Sequence, residues 1–516
     1  MTSSRRFVAA AASGLAAVLA APAIAAYICH PQPAGTRTLA ITGSIERYTL
    51  DGPKVSVALR SGHSCKVVAW NTLTGLHPTT GTTCLSLLGR SLSAPGGLRT
   101  FVHASTATRP ETLDVFRGAQ RISSWPLPAR PRLLHVAAGY ALFSGADGGA
   151  YALRLRDGRA ALLGPEAAGD DPQINELGAV FAARFAYSNT TGISLRFVPR
   201  SGLDTEVEED ALPLRTGGAI RSVSMDGPRV ALAIRDRAGR CDRVMYWNVL
   251  RAPVQRISGP DGPTCVPGRA TGISAVAIGG LRTEWLAQSG KRAALVVGSV
   301  LCQEWVVRRL LAGHAGESVV GMAADGRTLA FAITEQQREL RGLASVEVVA
   351  GTYSARTILS GRLQPVALAV DGHLVATALA DGTVDVRTAF GRGVADLRVG
   401  TVRAIALSGG KLVALRSSRL DVYDIASRKR IRAVSLPHVT LDVLDAQYGI
   451  AVVASGRRAL AVDLTTGAKA VVGRAAGPLV GAMIERPGVA YASTSGDRGV
   501  ATFVPLAKVE VLLGRA

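Results

Sequence analysis

The chain of 516 residues lacks most of the patterns that announce a chemistry. Its six cysteines contain no Cys-x-x-Cys pair, which argues against a zinc ribbon or a thioredoxin-like centre. There is no HExxH, no GxSxG, no GxxxxGK[ST], and no GxGxxG opening a helix. The eight histidines (His30, His63, His77, His103, His135, His314, His373, His438) include no pair at metal-ligand spacing. No stretch carries the apolar period of a substantial amphipathic helix. Beyond residue 26, no run is long and apolar enough to span a membrane. These absences predict neither a catalytic residue nor a metal centre.

The N-terminus is different. Arg5 and Arg6 lead into FVAAAASGLAAVLAAPAIAA, an uncharged run ending in Ala23-Ile24-Ala25. Only small side chains fit a signal peptidase at those two alanine positions, so residues 1–26 read as a secretory signal and the mature chain as secreted into an extracytoplasmic space. The alternative is an uncleaved N-terminal anchor, the one way this chain would hold a membrane. Ile28 stands where a lipoprotein signal wants a small residue, which disfavours lipidation of Cys29.

Basic residues outnumber acids 59 to 38, and removing residues 1–26 leaves a net charge of +19. The arginines are scattered, with no run of four or more and no dedicated nucleic-acid motif. Such a surface binds polyanions non-specifically at low salt.

What the sequence does contain is repetition. LDGPKVSVALRSGHSCKVVAWN (50–71) returns as MDGPRVALAIRDRAGRCDRVMYWN (225–248), and GGLRT follows at 96–100 and again at 279–283. Cys65 and Cys84 belong to the first copy and Cys241 and Cys265 to the second, so bridges 65–84 and 241–265 are expected. Each would contribute about 3 kcal/mol in the chain-entropy model. Cys29 and Cys302 remain, either joined to each other or free. A weaker cadence runs through the chain: four short apolar stretches separated by Gly-containing turns, clearest over 365–400. Taking the first internal turn as a landmark yields eleven units, near Asp51, Gly96, Gly139, Gly178, Asp226, Gly279, Asp325, Asp371, Gly409, Gly449 and Gly488. Their mean spacing is about 44 residues, the size of a four-stranded propeller blade.

A third stretch ending in an aromatic and Asn or Asp recurs at Trp70-Asn71, Trp247-Asn248 and Tyr423-Asp424, with Val462-Asp463 as a variant. On these residues, and on AVDLTTGAK (461–469) and NTLTG (71–75), the chain resembles the WD40-like and quinoprotein-like β-propeller families. The Gly-His pair that opens a WD40 blade is absent, and Val471 replaces the quinoprotein tryptophan, so the resemblance implies an architecture and not an activity. That architecture is all-β, with about eleven four-stranded antiparallel blades. Residues 27–39 are an N-terminal tail, 40–312 blades one to six and 313–516 blades seven to eleven, in two rings divided near 310–318; a single ring is the alternative.

Other clusters have bland readings. Glu206-Val-Glu-Glu-Asp210 reads as a solvated connection, or else as a docking point for a basic partner. Asp170-Asp171 lacks an EF-hand spacing, and the Asp-Gly pairs are turn formers. Trp70 and Trp247 hold equivalent positions and read as framework, whereas Trp125, Trp285 and Trp305 have no such explanation. The expected function is a binding or scaffold module that recognises a protein or cell-envelope polymer through blade loops. No cofactor is expected; calcium or a quinone belongs to the alternative, an enzyme of lactonase, lyase or quinone-dependent dehydrogenase type with a central-funnel site. A membrane-anchored envelope sensor is the third reading.

Overall fold

The computed structural model describes residues 35–41, 44–61, 64–74, 79–81, 98–106, 109–164, 172–187, 190–208, 213–235, 242–250, 255–256, 272–279, 282–289, 292–299, 308–309, 317–325, 328–335, 343–350, 355–437, 444–496 and 498–515. The expected signal peptide and all six cysteine side chains lie outside what is described, and with them every expected disulfide.

The described chain is all-β, with eleven antiparallel sheets in sequence order, ten of four strands and one of three. Sheet one spans 44–81, two 98–126, three 131–164, four 173–199, five 219–256, six 272–309, seven 317–362, eight 365–398, nine 404–435, ten 444–474 and eleven 479–505. Ten of the eleven landmark turns fall between the first two strands of a sheet. The exception is Gly96, which precedes the three described strands of sheet two and lies outside the described residues.

The repeated phrase is local framework. In Asp-Gly-Pro, Asp51 pairs with Lys54 and Asp226 with Arg229, leaving a two-residue turn. Gly52 and Gly227 take φ of +51° and +56°, a region that any Cβ would strain. The Asn or Asp ending the third strand makes the next turn. Asn71 Oδ1 accepts the Leu73 and Thr74 N–H groups, Asn248 Oδ1 that of Leu250, and Asp463 Oδ1 those of Thr465 and Thr466. The same segment then reaches back to the first turn, where Thr72 N donates to Pro53 O at 2.7 Å and Val249 N to Pro228 O at 2.9 Å.

Strands are apolar on both faces where their sheet lies between two others. In Lys411–Leu415, Leu412 and Ala414 pack toward sheet eight, while Val413 and Leu415 pack toward sheet ten. Burial of each Leu or Val contributes about 1.5–3 kcal/mol. Two pairings join residues far apart in sequence. Strand Arg37–Ile41 becomes the fourth strand of sheet four, with Arg37 opposite Phe197. Strand Leu214–Thr216 becomes the fourth strand of sheet eleven, with Leu214 opposite Ala501.

From sheet five onward, the first strand of every sheet packs against the first strand of the next, and the first strand of sheet eleven packs against that of sheet five. Ser222 and Ser224 hydroxyls accept the N–H groups of Val276 and Ile278 across one such contact. Of the break expected near 310–318, residues 310–316 lie outside the described residues; the first strands of sheets six and seven, on either side of it, pack together.

Among the described residues, two short helices depart from the all-strand expectation: α1 (Arg200–Glu208) and α2 (Leu506–Leu512). Each is too short to show a helical period. α1 covers sheets three and four with Leu203 and Val207, which are four apart and share one face. α2 covers sheets ten and eleven with Leu506 and Val509. Among the described residues no helix is long and apolar enough to cross a membrane.

Candidate functional site

The seven consecutive sheets place one residue of each first strand at the same register, the last before the first turn. Those residues are Asp226, Gly279, Asp325, Asp371, Ser408, Gln447 and Glu485. Because the first strands pack side by side and return to their start, these ends converge. Carboxylate oxygens of Asp226, Asp325 and Glu485, from three sheets, lie within 4.8 Å of one another.

Part of this chemistry is structural. Asp325 Oδ2 accepts the Gly372 N–H at 2.5 Å, and Asp371 Oδ2 accepts the Gly409 N–H at 2.8 Å, each bonding the first turn of the following sheet. Asp445 Oδ2 accepts the Ile484 N–H at 2.7 Å in the same sense. Gly and Ser stand at equivalent positions in sheets six and nine, so the register does not require an acid.

Crowding carboxylates raises their pKa values. Burial, then the charges of Asp226, Asp371 and Asp445, pushes Asp325 up to about 7 against the pull of the Gly372 N–H. Burial pushes Asp445 up to about 6, although two backbone N–H groups favour its ionised form. Glu485 is driven well above the carboxylate range by burial and by Asp325, Asp226 and Asp445. Burial likewise raises the neighbouring Tyr448 phenol.

Cations flank the cluster while engaged elsewhere. Arg486, next to Glu485, pairs with the buried Glu111 of sheet two's approach segment. Arg229, fully buried at the start of the second strand of sheet five, lies 2.8 Å from Asp147 of sheet three. Tyr151 donates to the same Asp147 carboxylate at 2.5 Å. Burial alone would raise Asp147, but Arg229, the Tyr151 hydroxyl and the Gly149 N–H hold it below the ordinary range. These two ion pairs, with Leu250 packing against cores on both sides, join sheets two and three to sheets five and eleven beside the carboxylates.

Chemically, the arrangement is an oxygen-lined cluster of negative charge. Oxygens at this separation suit a hard cation such as calcium, or an ammonium or guanidinium group. A carboxyl near neutrality also meets the requirement for a general acid.

The residues singled out from sequence distribute as follows. Trp70 and Trp247 are buried in equivalent cores, and Trp125 donates its indole N–H to Leu155 O at 2.9 Å. The side chains of Trp285 and Trp305, together with Asp170 and Asp171, lie outside what is described. Glu206 and Glu208 end α1, an element the sequence did not reveal. His103 meets Asp114 at 3.0 Å, and His135 Nδ1 faces the Ile174 N–H at 3.3 Å; neither joins the carboxylates. Asp226, Asp325 and Asp371 read in sequence as turn formers, which they are, but their convergence was not visible. The available signal was an acid at one register in four of seven units.

No protein-family model and no curated protein matches this chain. Among solved structures, the crystal structure of the computationally designed Ika8 protein aligns over 73% of this chain and 98% of its own, at 13% identity and a TM-score of 0.31. A likeness at that level carries no argument about fold or function.

Proposed function

We propose that this chain is an exported binding module built from two β-propellers, four blades followed by seven, that holds a cationic group on the axis of the seven-bladed ring. The ring reading is supported by the two long-range closing strands and by the first strands that pack in succession from sheet five to sheet eleven and back. It moves the division between rings from 310–318 to residues 200–213. The observation that carries the binding reading is the convergence of Asp226, Asp325 and Glu485 carboxylates within 4.8 Å. Gathering several carboxylates into a half-buried cluster costs stability unless a cation or protons neutralise them. The partner is a protein or envelope polymer met by blade loops, with calcium or a basic side chain of the partner completing the axial charge.

Calorimetric titration of the chain with calcium at about pH 8, above the value of about 7 for Asp325, tests the site. The expected result is one bound ion per chain, lost when Asp325→Asn and Glu485→Gln are combined. Unchanged binding in that variant, or none in the parent chain, contradicts it. A second reading, a funnel enzyme, is favoured by Asp325 near 7, which suits a general acid. It requires turnover whose pH profile shifts with Asp325→Asn.

A further inference from the structure

Away from the axis, sheet nine gathers cations where the axial cluster gathers anions. Asp421, on its third strand Arg419–Asp424, is fully buried, and three arginines converge on its carboxylate. Arg416 Nε lies 2.8 Å from Oδ2, Arg419 Nε 2.9 Å from Oδ1, and Arg430 Nη1 3.6 Å from Oδ1. These arginine side chains remain 29%, 39% and 49% exposed, and Arg416 also donates to Val399 O, so the three guanidinium groups are held around one anion with a surplus of two charges.

The outer strand Lys429–Ser435 continues the surface. Lys429, Arg430 and Arg432 are exposed along it, with Ile431 exposed between the two arginines. It pairs only with Arg419–Asp424, so its other edge is free of strand partners among the described residues. At about 3.3 Å per residue this edge is roughly 20 Å long.

Charged outer strands are common as protection against edge-to-edge pairing. That role accounts for the outer strands of sheets eight and ten, Gly393–Arg398 and Lys469–Arg474, which carry one and two basic residues. It does not call for a buried carboxylate that draws three guanidinium groups together. Pre-organised guanidinium forks bind phosphate oxygens in pairs, and ordering them in advance lowers the entropy lost on binding.

We propose that the edge of sheet nine formed by Arg416, Arg419 and Arg430 is a binding site for a linear phosphate-bearing polymer. The site is independent of the axial carboxylates and stands or falls separately from them. The Asp421 carboxylate sets the spacing of three guanidinium heads, and the strand edge extends the track.

The test uses the full chain and inorganic polyphosphate as the probe, with affinity measured against salt concentration. Arg419→Gln combined with Arg430→Gln is compared with Arg458→Gln combined with Arg474→Gln, which removes the same charge from exposed positions of sheet ten. The sheet-nine pair is expected to weaken binding at least tenfold and to flatten the salt dependence, against less than about threefold for the control pair. Equal losses in both pairs would overturn the proposal, because overall charge would then account for the contact. A measurement on the unmodified chain guards against misfolding of the variants. Polyphosphate is expected to shield Arg419 and Arg430 from an arginine-specific dicarbonyl reagent, and full reactivity at saturating polymer would equally overturn the site.

Discussion

Two sets of enclosed carboxylates in the seven-sheet unit meet opposite surroundings. Asp421 is covered by three arginines, whereas Asp226, Asp325 and Glu485 face one another. The first set is neutralised within the chain and serves as an anchor for the arginines. In the second, like charges and burial raise Asp325 and Glu485 above the ordinary carboxylate range. Asp147, held by Arg229 and Tyr151 at the contact between the two groups of sheets, belongs with the first. The difference teaches that an acid's place in the sheet does not fix its role; the neighbours supplied by adjoining sheets do.

That contrast gives substitutions of opposite sign. The largest loss is expected for Arg229→Ala, which strips the partner from Asp147 and empties a fully buried site. Denaturant melts should show destabilisation of about 3–5 kcal/mol. Asp421→Asn should destabilise by about 2 kcal/mol, less because its arginines are partly exposed and regain water. Asp325→Asn should instead stabilise the chain at about pH 8 by roughly 1–2 kcal/mol, since it removes a charge from the crowded cluster while its amide oxygen still accepts the Gly372 N–H. Destabilisation of similar size by Asp325→Asn and Asp421→Asn would erase the distinction.

The pH dependence sharpens it. Asp325 has a folded pKa raised from 3.8 to about 7, so the folded state keeps a proton that the unfolded chain has released. Its contribution to stability therefore falls as pH rises from about 4 to about 7. Asp463 is the reverse case. Burial alone would raise it, but Arg515, whose Nε donates at 2.5 Å, and the Thr465 and Thr466 N–H groups lower it to about 2. Its stabilisation is present above 3.8 and lost as pH falls toward about 2. Melting across pH should accordingly show losses on both sides, with the loss toward neutral pH reduced in Asp325→Asn and the acid loss reduced in Arg515→Gln.

Much of the sheet framework was legible because it rests on local rules. Asp-Gly turns, Asn-closed third strands and alternating apolar stretches are written within single units, and ten of the eleven landmark turns fell between the first two strands of a sheet. Which strands complete sheets four and eleven was not legible, because those pairings join residues as distant as Leu214 and Ala501. The two copies of the repeated phrase show the same limit for single residues. Lys54 and Arg229 hold the same place in the phrase, yet Lys54 is exposed while Arg229 is buried against Asp147. The convergence of the carboxylates was hidden for a related reason. Each acid looks like an ordinary turn residue in its own unit, and only packing of seven first strands brings the carboxylates together.

The most direct test of the central claim is thermal melting of the parent chain and of the combined Asp325→Asn, Glu485→Gln variant at about pH 8, with and without saturating calcium. The account predicts that calcium raises the melting temperature of the parent chain, and that the variant melts higher than the calcium-free parent without responding to the ion. A parent chain indifferent to calcium, or a variant that gains as much from it, would contradict an axial cation site.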